Sequence, residues 1–125
     1  MEAGNKILQV LHQRGDHENR KGYYSTKVMN LSPEKVRVKK FGGYTFHNEA
    51  YVLSTITGGY FSEQNFQEWY GVDQDGWIKP GQILVEPNNY SGGKCYWAYF
   101  GVTESGRKFV AGGLFDNQKP WWKFW

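Results

Sequence analysis

The chain carries a single cysteine, Cys95, among 125 residues, so no disulfide can form within it. Small secreted scaffolds stapled by disulfides are excluded, and a reducing compartment is the default expectation. Histidines are scarce too. His12, His17 and His47 show no His-x-x-x-His spacing and have no second cysteine to join, so neither a metal site nor a cofactor is expected. The Gly-x-Ser-x-Gly elbow of serine hydrolases is missing. Long apolar runs are absent: Glu2, Asn5, Lys6 and Gln9 interrupt Ile7, Leu8, Val10 and Leu11, leaving no signal-peptide core and no membrane span. The cytoplasm is therefore the expected location, with export by a non-classical route as the alternative. Charge of one sign is lacking as well. The 15 basic and 12 acidic residues leave a net charge of +3. A sequence pI of about 8.9 falls short of a typical nucleic-acid-binding domain, so no nucleic-acid partner is expected.

What the chain has in excess is aromatic: 6 Trp, 9 Tyr and 8 Phe, with 16 glycines. Aromatic and β-branched residues suit pleated, half-buried surfaces, and glycines suit the turns between short strands. One domain over 1–125 accommodates this length. Strands are expected at residues 6–12, 23–29, 36–41, 50–56, 82–85, 95–102 and 108–111. The run at 50–56 is nearly continuous in apolar character and reads as a central strand. Gly42-Gly43 reads as a break or bulge. Residues 12–22 read as a mobile polar loop and 87–93 as a long loop rich in turn formers. Residues 104–106 close the clearest hairpin, between 95–102 and 108–111. The period changes once, near residues 63–70. Ser62 suits an N-cap, Gly71 a left-handed C-cap, and Phe66, Trp69 and Tyr70 form one apolar stripe. These features give an all-β, antiparallel β-sandwich with one short helix. The strand–Asn30-Leu31-Ser32-Pro33–strand unit resembles a hairpin of immunoglobulin-like sandwiches, which implies an immunoglobulin-like arrangement.

Several local patterns carry little chemistry. Lys35, Arg37, Lys39 and Lys40 alternate with Val36 and Val38 and read as one solvated face. Arg14-Gly15-Asp16 is an integrin-type tripeptide that chance also supplies. Asp73-Gln74-Asp75-Gly76 lacks the remaining calcium ligands, with only Glu68 and Asp116 to add through space, and reads as a turn. Asn30-Leu31-Ser32 and Asn89-Tyr90-Ser91 fit the glycosylation pattern, but no leader accompanies them. Ser91-Gly92-Gly93-Lys94 lacks phosphate-loop spacing. Cys95, opening an aromatic strand, reads as a small buried residue rather than a nucleophile.

The aromatic surplus exceeds what one sandwich core absorbs. Tyr44, Tyr60, Trp69, Tyr70, Trp77 and Tyr90 lie in or beside expected turns and are the candidate ligand-binding residues. Pro120-Trp121-Trp122-Lys123-Phe124-Trp125 puts four aromatics in five residues. Left in water such a patch would promote association, so Trp121, Trp122, Phe124 and Trp125 are candidate contacts to their own sheet, a partner or lipid. The expected function is a non-enzymatic binding or accessory protein contacting a protein partner, a second copy or a glycan. A membrane-interacting or pore-forming sandwich is the alternative, and an enzyme using Cys95 or a histidine the least supported.

Overall fold

A computed structural model describes residues 2–14, 23–53, 59–90 and 94–116. They form β1 (Glu2–Ala3), β2 (Leu8–Arg14), β3 (Tyr23–Asn30), β4 (Val36–His47), β5 (Ala50–Leu53), β6 (Phe61–Ser62), α1 (Glu63–Tyr70), β7 (Ile83–Tyr90), β8 (Lys94–Thr103) and β9 (Lys108–Asp116). Two sheets face each other. The larger runs β1-β9-β8-β4-β5, with β6 also on β4, and the smaller runs β2-β3-β7. Every pairing is antiparallel except β1 with β9. The expected sandwich with one short helix is thus present. β2 packs against β9 on one side, and α1 touches both β4 and β7 on the other.

The sequence explains these elements locally. β3 alternates strictly, with Tyr24, Thr26, Val28 and Asn30 buried and the intervening residues turned outward. Ser62 caps α1 through the Asn65 backbone N–H, the Asn65 side chain returns the bond, and Gly71 ends the helix at φ 71°.

Several expectations change. Residues 30–34 make no hairpin: β3 and β4 lie in different sheets, so this turn carries the chain across the sandwich. The Asn30 amide holds the crossing, donating to the carbonyls of Glu34 (2.8 Å) and Ile78 (2.9 Å) and accepting from Ser32 N–H (2.8 Å). The hairpin that carried the immunoglobulin-like resemblance is therefore not formed. Gly42-Gly43 does not break β4, because these glycines admit neighbours instead of bending the chain. A Cβ at Gly42 would meet Leu53 and Tyr60 at 2.8 and 2.9 Å, and one at Gly43 would meet the Trp97 ring at 3.3 Å. Residues 50–53 form an edge strand with Ala50, Tyr51 and Val52 exposed, not a central one; their apolar character serves a surface. Residues 87–90 continue β7. β2 reaches Arg14, which takes the start of the expected 12–22 loop into a strand, and 15–22 lie outside the described residues.

Arg37, opposite Val102, and Lys40, opposite Phe100, lie on the outward face of β4, while Val36 and Val38 are buried on the other. The register slips between Val38 and Lys40, making Lys39 the extra residue of a bulge. Arg37 and Lys39 both bind Glu63 at the start of α1. Burial acts to raise the Glu63 carboxyl, and the hydrogen bonds from Lys39 and Arg37 outweigh it, so its pKa lies below the ordinary carboxylate value.

Phe41 occupies the centre. It is fully buried, with the rings of Phe61 (5.2 Å), Phe66 (5.6 Å), Trp69 (5.4 Å), Tyr70 (6.1 Å), Trp97 (6.0 Å) and Tyr99 (5.7 Å) around it. A smaller cluster of Tyr24, Cys95 and Phe115 joins this core through Trp97. Replacing Phe41 with Ala should lower unfolding free energy by about 3–5 kcal/mol in urea titrations. Phe46→Ala, at an exposed ring of the same strand, should cost less than about 1 kcal/mol. Equal losses at the two positions would contradict this assignment of the core.

Candidate functional site

The outer face of the large sheet is built in rows set by strand register. One row is Lys40, Phe100 and Val110; the next is Gly42, Ala98 and Gly112; the next is Leu53, Tyr44, Tyr96 and Leu114. No side chain in the middle row exceeds a methyl group, while both flanking rows are large and apolar or aromatic. Leu53 and Tyr60 lean over Gly42, and Tyr96 lies over Gly112, where an added Cβ would collide with its hydroxyl. The result is an open apolar trough of about 590 Å³ floored by Ala98 and lined by Tyr44, Tyr51, Tyr96, Phe100, Val110 and Leu114. Its size lies within the range typical of binding pockets. Leu114 is 56% exposed and Tyr51 45%, too much apolar surface to be explained by core packing.

Polar groups are few. The lining contributes only tyrosine hydroxyls, and that of Tyr44 bonds the hydroxyl of Tyr60, which lies beside the lining. Burial and that bond push the Tyr44 hydroxyl up to about 12. At the rim, the Lys40 ammonium lies 4.5 Å from the Tyr60 ring and 4.9 Å from the Phe100 ring, and Lys94 lies 5.4 Å from the Phe46 ring. These are cation–π contacts on an apolar surface.

The structure divides the residues singled out from the sequence. Tyr44 and Tyr60 meet at the trough, although Tyr44 sits within β4 and not at a turn. Tyr70 is buried, with its hydroxyl bonded to Tyr99 and pushed upward by burial, so it faces the interior. Trp69 packs on the core, and Trp77 stacks under the Arg37 guanidinium at 5.1 Å. The Tyr90 ring and residues 120–125, with Trp121, Trp122, Phe124 and Trp125, lie outside the described residues. Sequence reading missed Tyr51, Tyr96, Ala98, Phe100, Val110 and Leu114. Counting outward from the hairpin turn at 104–106 would have aligned most of them, since it pairs Phe100 with Val110 and Tyr96 with Leu114.

A second polar cluster lies between the sheets. His12 Nε2 is 3.0 Å from the Gly113 carbonyl, which can only accept, so Nε2 carries the proton. Nδ1 then accepts from the Thr26 hydroxyl (2.8 Å), whose oxygen accepts from the Asn89 amide (2.7 Å). Both ring nitrogens are thereby occupied in the neutral tautomer. Cys95 is buried, with its sulfur 3.3 Å from the Tyr24 hydroxyl, to which the Trp97 indole also donates. Among the described residues no group of three or more His, Cys, Asp or Glu converges as metal ligands. Asp73 to Gly76 forms an ordinary turn, with Gly76 N–H on the Asp73 carbonyl (2.9 Å) and Trp77 N–H on the Asp75 carboxylate (3.0 Å).

The class these features define is a two-sheet β-sandwich with an open aromatic trough on one outer face. No family model and no curated protein matches the sequence. Among solved structures, the X-ray structure of Northeast Structural Genomics Consortium target SoR45 is similar, with TM-score 0.54 and 17% identity over 95% of this chain and 92% of that one. At this identity the likeness is one of fold. Among the described residues no helix is long and apolar enough to cross a membrane.

Desolvation lowers the His12 pKa below its ordinary 6.5, with the Gly113 carbonyl opposing. A folded-state pKa below the unfolded one means that only the unfolded chain takes up the proton as pH drops below about 6.5. Stability should therefore fall through that window. Glu63, whose pKa lies below the carboxylate range, stays ionised there and does not contribute. Thermal melts from about pH 8 to about pH 5 should show this loss, and His12→Gln should reduce the slope. An unchanged slope in the variant would show that His12 is not the titrating group.

Proposed function

We propose that this is a non-enzymatic binding protein that uses the trough above Ala98 to hold an apolar or aromatic group of a protein partner. The observation that carries this reading is the trough itself. It is a surface built from a row of minimal side chains between aromatic walls, with lysines at the rim. Burying such a surface contributes about 25 cal/mol per Å² of apolar area, and aromatic anchors in central pockets dominate interface energies. The tyrosine-only polar lining supports a protein partner over a glycan, because sugar hydroxyls call for amide and carboxylate partners as well as ring faces. The lysines beside exposed rings are also compatible with a lipid interface, which makes vesicles the necessary comparison. The immunoglobulin-like relation is not needed for this reading.

Phage-displayed peptides selected on the wild-type protein should be enriched in Trp, Phe and Leu. They should lose about tenfold or more in affinity for Ala98→Arg, which fills the trough, and for Leu114→Ser on its wall. Circular dichroism melts would verify that both variants fold. Selected peptides indifferent to both changes would overturn the proposal. So would ligands found only on a glycan array or only on neutral and anionic vesicles.

A further inference from the structure

The cations beside the trough differ in what they face. Arg37 and Lys39 share the Glu63 carboxylate at the start of α1. Lys40 has Phe100 on β8 and Ser62 on β6 as its register partners, neither of them acidic, and among the described residues it forms no ion pair. Its ammonium lies over the Tyr60 and Phe100 rings, at 4.5 and 4.9 Å. Ring faces hold a cation in place but leave its charge uncancelled. Lys94, at the other end, lies over Phe46 and has Asp116 as its register partner on β9. Lys40 is therefore the rim cation with no acidic register partner.

Register also fixes its distance from the floor. Gly42 stands opposite Ala98 and Lys40 opposite Phe100, so Lys40 is one strand across from Ala98 and one row along. That is about 5 Å sideways and about 7 Å along the strand. Side chains two positions apart in an extended peptide are separated by about 7 Å, and those three or four apart on a helix by about 5–6 Å. A segment whose ring fills the trough above Ala98 thus brings a second side chain to the Lys40 ammonium within four residues of that ring. A carboxylate gains there through a charge-assisted hydrogen bond, a basic group is repelled, and an apolar one strips water from the ammonium without replacing it.

We infer that the trough selects an acidic peptide segment, one aromatic or large apolar residue with a carboxylate side chain within four positions of it, and that Lys40 determines this selection. This rests on the trough being the binding surface, as proposed above. The ring supplies most of the affinity. The carboxylate decides which ring-bearing segment is taken and speeds its approach, because rim charges act on specificity and encounter rate more than on the final contact.

The phage selection is repeated on the wild-type protein and on Lys40→Glu, whose folding is verified by circular dichroism. Wild type should return rings flanked by Asp or Glu within four positions, and Lys40→Glu should return rings flanked by neutral or basic residues. The best wild-type peptide should bind Lys40→Glu about tenfold more weakly and Lys40→Arg about as well as wild type. Its affinity should fall as salt rises from about 50 mM to about 500 mM. Replacing its carboxylates with amides should weaken binding to wild type, and the amide peptide should not distinguish wild type from Lys40→Glu. Peptides that need Ala98 but show no acidic bias and no response to Lys40→Glu would overturn the acid selection and leave the trough as the binding surface. Acidic peptides indifferent to Ala98→Arg would overturn both. So would binding to anionic vesicles alone, with no peptide recovered.

Discussion

The stacking of rings around Phe41 is the contact on which the rest of the molecule depends. Phe41 lies in the longest strand, and its neighbours come from β6, α1 and β8. An eight-residue helix is unstable alone, so α1 exists because Phe66, Trp69 and Tyr70 close on that ring. The Arg37 and Lys39 contacts to Glu63 fix the start of the helix from the same strand. Once the helix is held there, Tyr70 spans the gap between the sheets and bonds Tyr99. One ring thus links the large sheet, the helix and the inter-sheet polar cluster.

The aromatic excess is resolved by sorting across the two faces of the large sheet. Along β8, Trp97 and Tyr99 turn inward, while Tyr96 and Phe100 turn outward around Ala98. Glycine makes this tolerable, since Gly43 leaves room for Trp97 inside and Gly112 for Tyr96 outside. The inner rings are needed to fill the sandwich. The outer ones are not, and a surface that keeps them in water without a packing need is the natural place for a contact.

Much of this arrangement could be read from residues alone. The helix at 63–70, its caps and the 104–106 hairpin followed from local chemistry, because caps and tight turns are set by neighbours in sequence. The crossing at 30–34 did not, since a turn signal does not say whether its flanking strands pair or part. The run at 50–53 misled because apolar character marks burial or a binding face alike. The trough was invisible for a different reason. It is made of alternate residues on four strands, and only register brings Tyr44, Tyr96 and Leu114 into one wall. Reading Tyr44 as a turn residue came from treating Gly42-Gly43 as a break when it is a clearance.

Ala98 and Ala111 sit on adjacent strands and opposite faces, so their methyl resonances report the outer and inner surfaces of one sheet. The most direct measurement is the ¹³C–¹H spectrum of these two methyls in the full chain, with and without a trough-binding peptide. The account predicts that the Ala98 methyl shifts under ring currents when the peptide binds while the Ala111 methyl stays in place. An Ala98 methyl that never moves, or an Ala111 methyl that moves as far, would contradict it.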